Sequence, residues 1–258
     1  MWCPTFFLST IFLESDMLSK LSQLENLIGH KFRDLNMLER AVTHRSWAFE
    51  NKNGESEDAI RMTENESLEF VGDSVLGLII AEQLFLSNPT LGEGDLTLMK
   101  HHLVSTGTLA KLGENLKLGD YLKMGKGEEK TGGRKKQALL ANTLEAIIGA
   151  VFFDGGYTAA RVFVGRIFAE ELRAATPRTS IDYKSLLQET LQSAKRSAPV
   201  YNVVKTDGPP HARIFSVVAT WDGGTSSGEG SSIKAAEMEA ASAALQMLKA
   251  EAGYTTEK

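Results

Sequence analysis

Residues 65–77, NESLEFVGDSVLG, decide how the N-terminal part of the chain is read. On an α-helix at about 100° per residue, Glu66, Glu69 and Asp73 fall within about 60° of one another. Leu68, Val71, Val75 and Ile79 take the opposite side, the division of an amphipathic helix. Taken alone, that pattern also describes a surface helix with a solvated acidic face. The run continues as LIIAEQLF, and Leu78–Ala81 is apolar nearly all round, which predicts an interior helix. Carboxylates on an interior stripe repel one another and need a cation to stay ionised there.

A second stretch supplies the complement. In QALLANTLEAIIGAVFF (137–153) the polar groups after Gln137 are Asn142, Thr143 and Glu145. Asn142 and Glu145 are three apart and share a helix face. A glycine follows the last acid of each helix by four residues, Gly77 after Asp73 and Gly149 after Glu145, and this pair is expected to let the two backbones approach closely. Hard oxygen donors on facing helices suit Mg²⁺, with Mn²⁺ as substitute. Zinc is disfavoured: the five histidines show no HExxH spacing and Cys3 is the single cysteine. A di-iron site would want Glu-x-x-His pairs, and neither helix has one. No nucleotide cofactor is expected, because GKGEEKTGG (125–133) lacks the GxxxxGK[ST] order of a phosphate-binding loop.

The bulk numbers fit a two-domain protein. The 258 residues are 42% hydrophobic and 24% charged, with six prolines, a composition compatible with long helices and a packed core. A net charge of −5 argues against a surface that is basic throughout, while leaving room for a local basic patch or an acidic metal pocket. One cysteine excludes an intrachain disulfide framework and suits a reducing cytoplasm. Residues 1–13 are apolar but lack a preceding Lys or Arg and a small-residue cleavage site, so 1–16 is expected as an N-terminal extension, or Met17 as the true start, rather than a signal peptide. No other apolar run approaches the ~20 residues of a membrane span, and no membrane partner is expected.

From 17 to 174 the pattern is helical, with Leu18, Leu21, Leu24 and Ile28, then Leu35, Leu38 and Val42, at three- and four-residue spacing. Breaks fall at NKNGES (51–56), NPTLGEGD (88–95) and GKGEEKTGG, and Asp154–Gly156 reads as a glycine stop. Residues 175–180 read as a linker. Beyond it come a helix at Tyr183–Ala194, strands at Val200–Lys205, Ile214–Trp221 and Ser226–Glu229, a turn at Gly223–Gly224 and an alanine-rich helix at Ile233–Ala250. The expected architecture is an all-α domain, then a small α+β domain of order α-β-β-β-α over 181–250, with 251–258 as a tail.

NESLEFVGDSVLG resembles the signature of ribonuclease III, and LANTLEAIIGAVFFDGG (140–156) resembles that family's second acidic motif. IGHKFRDLNMLERAVTHRSW (28–47), GDYLKMGKGEEKTGGRKK (119–136) and the C-terminal segment extend the resemblance over about residues 20–250. It implies a metal-dependent endonuclease that cuts double-stranded RNA, leaving 5′-phosphate and 3′-hydroxyl ends. Glu66, Asp73 and Glu145 would be catalytic. Glu69, Asp73, Asn142 and Glu145 would hold metal, Glu69 and Glu145 as direct ligands and Asp73 through a water or a second ion. The resemblance further implies a cytoplasmic homodimer in which Phe70 plugs into the partner subunit, cutting both strands with a short 3′ overhang. Implied substrates are precursors of ribosomal RNA and structured messenger or transfer RNA precursors. One departure stands out: residue 142 is Asn where the family most often has Asp, which keeps a carbonyl oxygen ligand and removes a charge.

The C-terminal segment resembles a double-stranded-RNA-binding domain, which reads A-form shape through 2′-hydroxyls and phosphates. The resemblance assigns RNA contact to Gln188 on the first helix, to Pro210 and His211 in GPPH (208–211), and to Lys234 at the start of the last helix. Ile233 stands where a lysine is usual, and residues 181–250 carry seven Lys/Arg against seven Asp/Glu, so weak binding with a shallow salt dependence is expected. His44 reads as packing support and His101–His102 as surface residues. Lys126, Lys130, Arg134, Lys135 and Lys136 read equally as a solvated loop or as a basic rim beside an RNA cleft. The rival readings are a double-stranded-RNA-binding protein that lost turnover through Asn142, and a helical scaffold with merely solvated acids.

Overall fold

The computed structural model describes residues 19–52, 54–180, 182–209 and 213–254, and the chain divides into two compact units, Met1–Ser180 and Ile181–Lys258. In the first, α1 (19–28), α2 (Leu35–Ala41), α3 (Arg45–Asn51) and α4 (Glu57–Arg61) lead into the long α5 (Glu66–Ser87). Then follow α6 (Glu93–Leu103), α7 (Thr106–Asn115), α8 (Lys126–Lys130), α9 (Gln137–Ile167), α10 (Ala169–Ala174) and α11 (Pro177–Ser180). Two 3₁₀ turns flank α8, and an isolated bridge joins Thr43 to Lys123.

The centre of this unit is the α5–α9 pair. Leu68, Leu76, Ile79, Ile80 and Leu84 of α5 share one buried cluster with Leu144, Ile147, Ile148 and Val151 of α9. Leu21, Leu24, Ile28, Leu38 and Val42, from the earlier helical spacing, close the same cluster. Each such side chain, fully buried, contributes about 1.5–3 kcal/mol. The glycine stop at 154–156 proves to be a kink: Gly156 sits at φ 75°, ψ −177°, and the helix resumes because Ala160, Phe163 and Val164 still have core to bury. Asp154 is held by His30 at 2.8 Å and by the Arg33 amide at 2.9 Å.

Three expectations need correction. The α5 helix is not interior all round: Leu78 is 59% exposed, and Phe70, Phe85 and Leu86 lie open as well. The helix has one buried side only, because α9 covers one side of it. Second, α5 and α9 are each long and apolar enough, by length and composition, to cross a membrane. Their acids interrupt the apolar runs but leave the mean hydropathy high, and the two helices pack their apolar sides on each other. Third, residues 177–180 of the expected linker form α11, which packs on α6 and leaves Ser180 buried.

The second unit runs α12 (Tyr183–Ser193), β1 (Val200–Asp207), β2 (Ile214–Trp221), β3 (Gly224–Gly230) and α13 (Ile233–Tyr254). The sheet is antiparallel in the order β1-β2-β3, with a register shift between Val203 and Lys205. Gly223, at φ 106°, makes the tight turn between β2 and β3. Trp221 packs with Leu187 and Leu191 of α12 and Ala241, Ala244 and Leu245 of α13, so both helices cover one face of the sheet. This is the α-β-β-β-α order expected from the sequence.

Candidate active site and nucleic-acid interface

The site is assembled by a close crossing of α5 and α9. A Cβ on Gly149 would lie 2.3 Å from the Leu68 carbonyl oxygen, and one on Gly72 would meet the backbone of Glu145. No side chain fits between the helices there. The glycine opposite Gly149 is therefore Gly72 and not the expected Gly77, which instead faces the Lys100 side chain at 3.6 Å. Gly72 is passed over in sequence because it lies between the acids rather than after them.

The crossing brings Glu69 and Asp73 of α5 against Asn142 and Glu145 of α9. Burial, then the charges of Asp73 and Glu69, push the Glu145 carboxyl up to about 7. Burial also raises Glu69, helped by the charge of Glu66, while the Asn142 amide faces its carboxylate as a hydrogen-bond donor and draws it down. Glu66 stands at the rim, paired with Arg45 at 3.2 Å. Among the described residues, no three His, Cys, Asp or Glu side chains converge into a ready-made metal cage. The donors are nevertheless hard oxygens, partly desolvated and mutually repelling, which is the condition a divalent cation relieves.

Sequence reading missed a fifth acid. Glu64 is 2% exposed, and its Oε2 accepts the Glu66 backbone N–H at 2.8 Å. Burial raises its carboxyl. The available signal was an acid two residues ahead of Glu66, at a helix start where free N–H groups need acceptors.

Comparison with known proteins follows the same division of the chain. A Ribonuclease-III-like family model matches residues 34–172, and a double-stranded RNA binding motif matches residues 183–248. Ribonuclease 3 of Syntrophotalea carbinolica is 42% identical over 228 residues, covering 88% of this chain and 96% of that protein. Ribonuclease 3 of Nitratidesulfovibrio vulgaris is 42% identical over 235 residues, covering 90% of each. The crystal structure of the nuclease domain of ribonuclease III from Campylobacter jejuni superposes with TM-score 0.51 at 35% identity, over 58% of this chain and 94% of that one. A second structure of that domain, described as showing structural flexibility in a region involved in dimer formation, has TM-score 0.51, 35% identity and coverage of 57% and 94%.

This chain belongs to the ribonuclease III family.

Other residues of this ribonuclease III-family protein then find their places. Phe70 is 76% exposed on the side of α5 that turns away from α9 and takes no part in the core of this chain. His44 caps α3: its Nδ1 accepts the Ser46 N–H at 3.2 Å, and burial lowers its pKa. Ser46 Oγ in turn accepts the Gly125 N–H at 2.8 Å, tying α3 to the loop before α8. His101 and His102 are exposed. In the basic loop, Arg134 is committed to Glu129 and to the Gly119 and Leu122 carbonyls, and Lys136 pairs with Glu128. Lys126, Lys130 and Lys135 are exposed and make no ion pair among the described residues.

In the second unit, Gln188 is exposed on α12, flanking the buried Leu187 and Leu191. Lys234 is exposed in the first turn of α13, where Ser232 Oγ accepts the Ala235 N–H at 3.1 Å. Ile233 beside it is 44% exposed, an apolar side chain open to water on that turn. Pro210 and His211 lie outside the described residues.

Proposed function

We propose that this ribonuclease III-family enzyme hydrolyses phosphodiester bonds of double-stranded RNA at the α5–α9 crossing, giving 5′-phosphate and 3′-hydroxyl ends. The observation that carries the reading is that the crossing sets Glu69, Asp73, Asn142 and Glu145 of two core helices near enough to interact, with Glu145 pushed up to about 7 first by burial and then by the charges of Asp73 and Glu69. A bound Mg²⁺, or Mn²⁺ in its place, would stabilise charge on the scissile phosphate and make water a better nucleophile. Glu69, Asp73 and Glu145 supply charged oxygen donors for it, and Asn142 a neutral carbonyl oxygen. Glu66, at the rim beside Arg45, orients the approach of water or phosphate. Burial and the neighbouring charges raise the Glu145 carboxyl to about 7, and a bound cation would favour its ionised, metal-holding form.

The second unit binds duplex RNA through Gln188, Lys234 and, by resemblance, Pro210 and His211, reading shape rather than sequence. Two copies of the chain pair through the exposed Phe70 side of α5, so that two sites face the two strands. The related Campylobacter jejuni domain, with its region involved in dimer formation, supports this arrangement. We place the enzyme in the cytoplasm, acting on precursors of ribosomal RNA and on structured messenger and transfer RNA precursors.

The test is cleavage of a long RNA duplex by the purified full chain with Mg²⁺ or Mn²⁺, with end-group analysis of the products. Cleavage that requires the metal is the expected result. A protein that binds the duplex but cuts at no metal concentration would instead be the binding protein disabled at Asn142.

A further inference from the structure

We infer that Glu64 is a positioning residue for the metal-binding acids. It fixes the first turn of α5 from which Glu66 and Glu69 project. The inference rests on the metal-dependent reading above and extends it to a residue outside the two acidic motifs.

The first turn of a helix has backbone N–H groups without partners. At α5 the N-cap residue, Asn65, makes no side-chain cap bond; its amide is directed at the Ala41 carbonyl, 3.4 Å away. Glu64 does the capping instead, accepting the Glu66 N–H at 2.8 Å from a position that is 2% exposed. A carboxylate at that depth is costly unless it answers a specific donor, and the donor here is the backbone of Glu66 itself.

The turn that carries Glu64 is held from outside by Arg40 of α2. The Arg40 Nε donates to the Glu64 carbonyl at 3.0 Å, and its Nη2 donates to the Arg61 carbonyl at 3.1 Å and to Ser67 Oγ. Arg45 meets the Glu66 side chain. Glu66 is thus gripped at its backbone by Glu64 and at its carboxylate by Arg45, and Glu69 follows one turn later on the same face. Loss of the Glu64 bond frees the turn to fray, and the acids then reach a common cation only after being re-ordered. The role needs an acceptor atom at position 64 and not a charge.

Three full-length proteins decide this: wild type, Glu64→Ala and Glu64→Gln. Calorimetric titration with MgCl₂ alone, without RNA, reads the site directly, and cleavage of a long duplex across Mg²⁺ concentrations reads it in turnover. Glu64→Ala is expected to weaken Mg²⁺ binding and raise the half-activating Mg²⁺ concentration about tenfold, the scale of a lost helix cap, with the KM for duplex unchanged. Glu64→Gln, which keeps the oxygen acceptor, is expected to recover most of that loss. A Glu64→Ala protein that melts lower yet binds Mg²⁺ like wild type would make Glu64 a helix cap and nothing more. A Glu64→Gln protein as impaired as Glu64→Ala would overturn the acceptor argument, and should Glu64→Ala fail to fold, Arg40→Ala with unaltered Mg²⁺ affinity would overturn the claim that this turn positions the acids. Wild type that binds no Mg²⁺ overturns both this inference and the metal-dependent reading. Wild type that binds Mg²⁺ with the expected variant order, yet cuts no duplex, overturns the nuclease reading alone.

Discussion

A Cβ built on Gly72 would lie 1.8 Å from the backbone oxygen of Glu145, so the main chains of α5 and α9 touch at the acidic site itself. The acids of the two helices face each other because no side chain separates their backbones at that level. The same contact removes water from between them, which is why burial leads the causes that raise Glu69 and Glu145.

Gly72→Ala should therefore damage stability and site together. The obstacle is backbone, which cannot rotate away, so the helices must separate and lose packing on both sides. A loss of at least about 3 kcal/mol is expected, the upper end for overpacking a core. Urea unfolding checks it; an unchanged midpoint would show that the helices are not in contact there.

Glu145→Gln removes a charge from a cluster that repels itself. Without metal, the variant should melt at a higher temperature than wild type, while cleavage falls by more than about 100-fold, beyond the usual cost of losing an outer-shell partner of a metal. Duplex binding should persist. Melting curves in chelator alongside cleavage and gel-shift assays separate the three effects.

The pH dependence of metal-free stability has a defined sign. The native Glu145 carboxyl titrates at about 7 against an ordinary value of 4.5, so across that window the folded chain holds a proton that the unfolded chain has released. Its stabilising contribution is complete below 4.5 and disappears as pH rises through about 7. Burial shifts His44 the opposite way, which opposes the trend. The comparison is thus with Glu145→Gln: the melting temperature of wild type should fall relative to that variant as pH is raised in chelator, and saturating Mg²⁺, which favours the ionised carboxylate in the folded chain, should remove that fall.

Phe70→Ala should leave the fold of one subunit nearly intact, since the ring is 76% exposed. Self-association should weaken by about 2 kcal/mol or more, as for an aromatic anchor at an interface. Sedimentation velocity over a concentration series reads this, and an unchanged association constant would remove Phe70 from the interface.

Ile233→Lys should strengthen duplex binding. It places a cation next to Lys234 on the exposed first turn of α13, in a segment with no net positive charge. If the new lysine meets a phosphate, the slope of log K against log salt should steepen by up to about 0.9. Titrations at several salt concentrations measure it; a parallel line would mean that this turn does not meet RNA.

Which residues are acidic, where the long helices run and where the chain changes from helices to strands were legible in the sequence, whereas the short helices α8 and α11 fell where breaks were expected. These follow from periodicity and from glycine, asparagine and proline punctuation, which act within a few residues. The strand Ile214–Trp221 and the α5 and α9 acids are of this kind. Only the tertiary structure decided that Gly72 rather than Gly77 meets α9, that Leu78 is open rather than interior, that Gly156 kinks a helix instead of ending it, and that Glu64 grips the backbone of Glu66. Each depends on where a neighbouring element lies. A helix repeats its faces every 3.6 residues, but which face meets a partner is set by packing against residues far away in the chain.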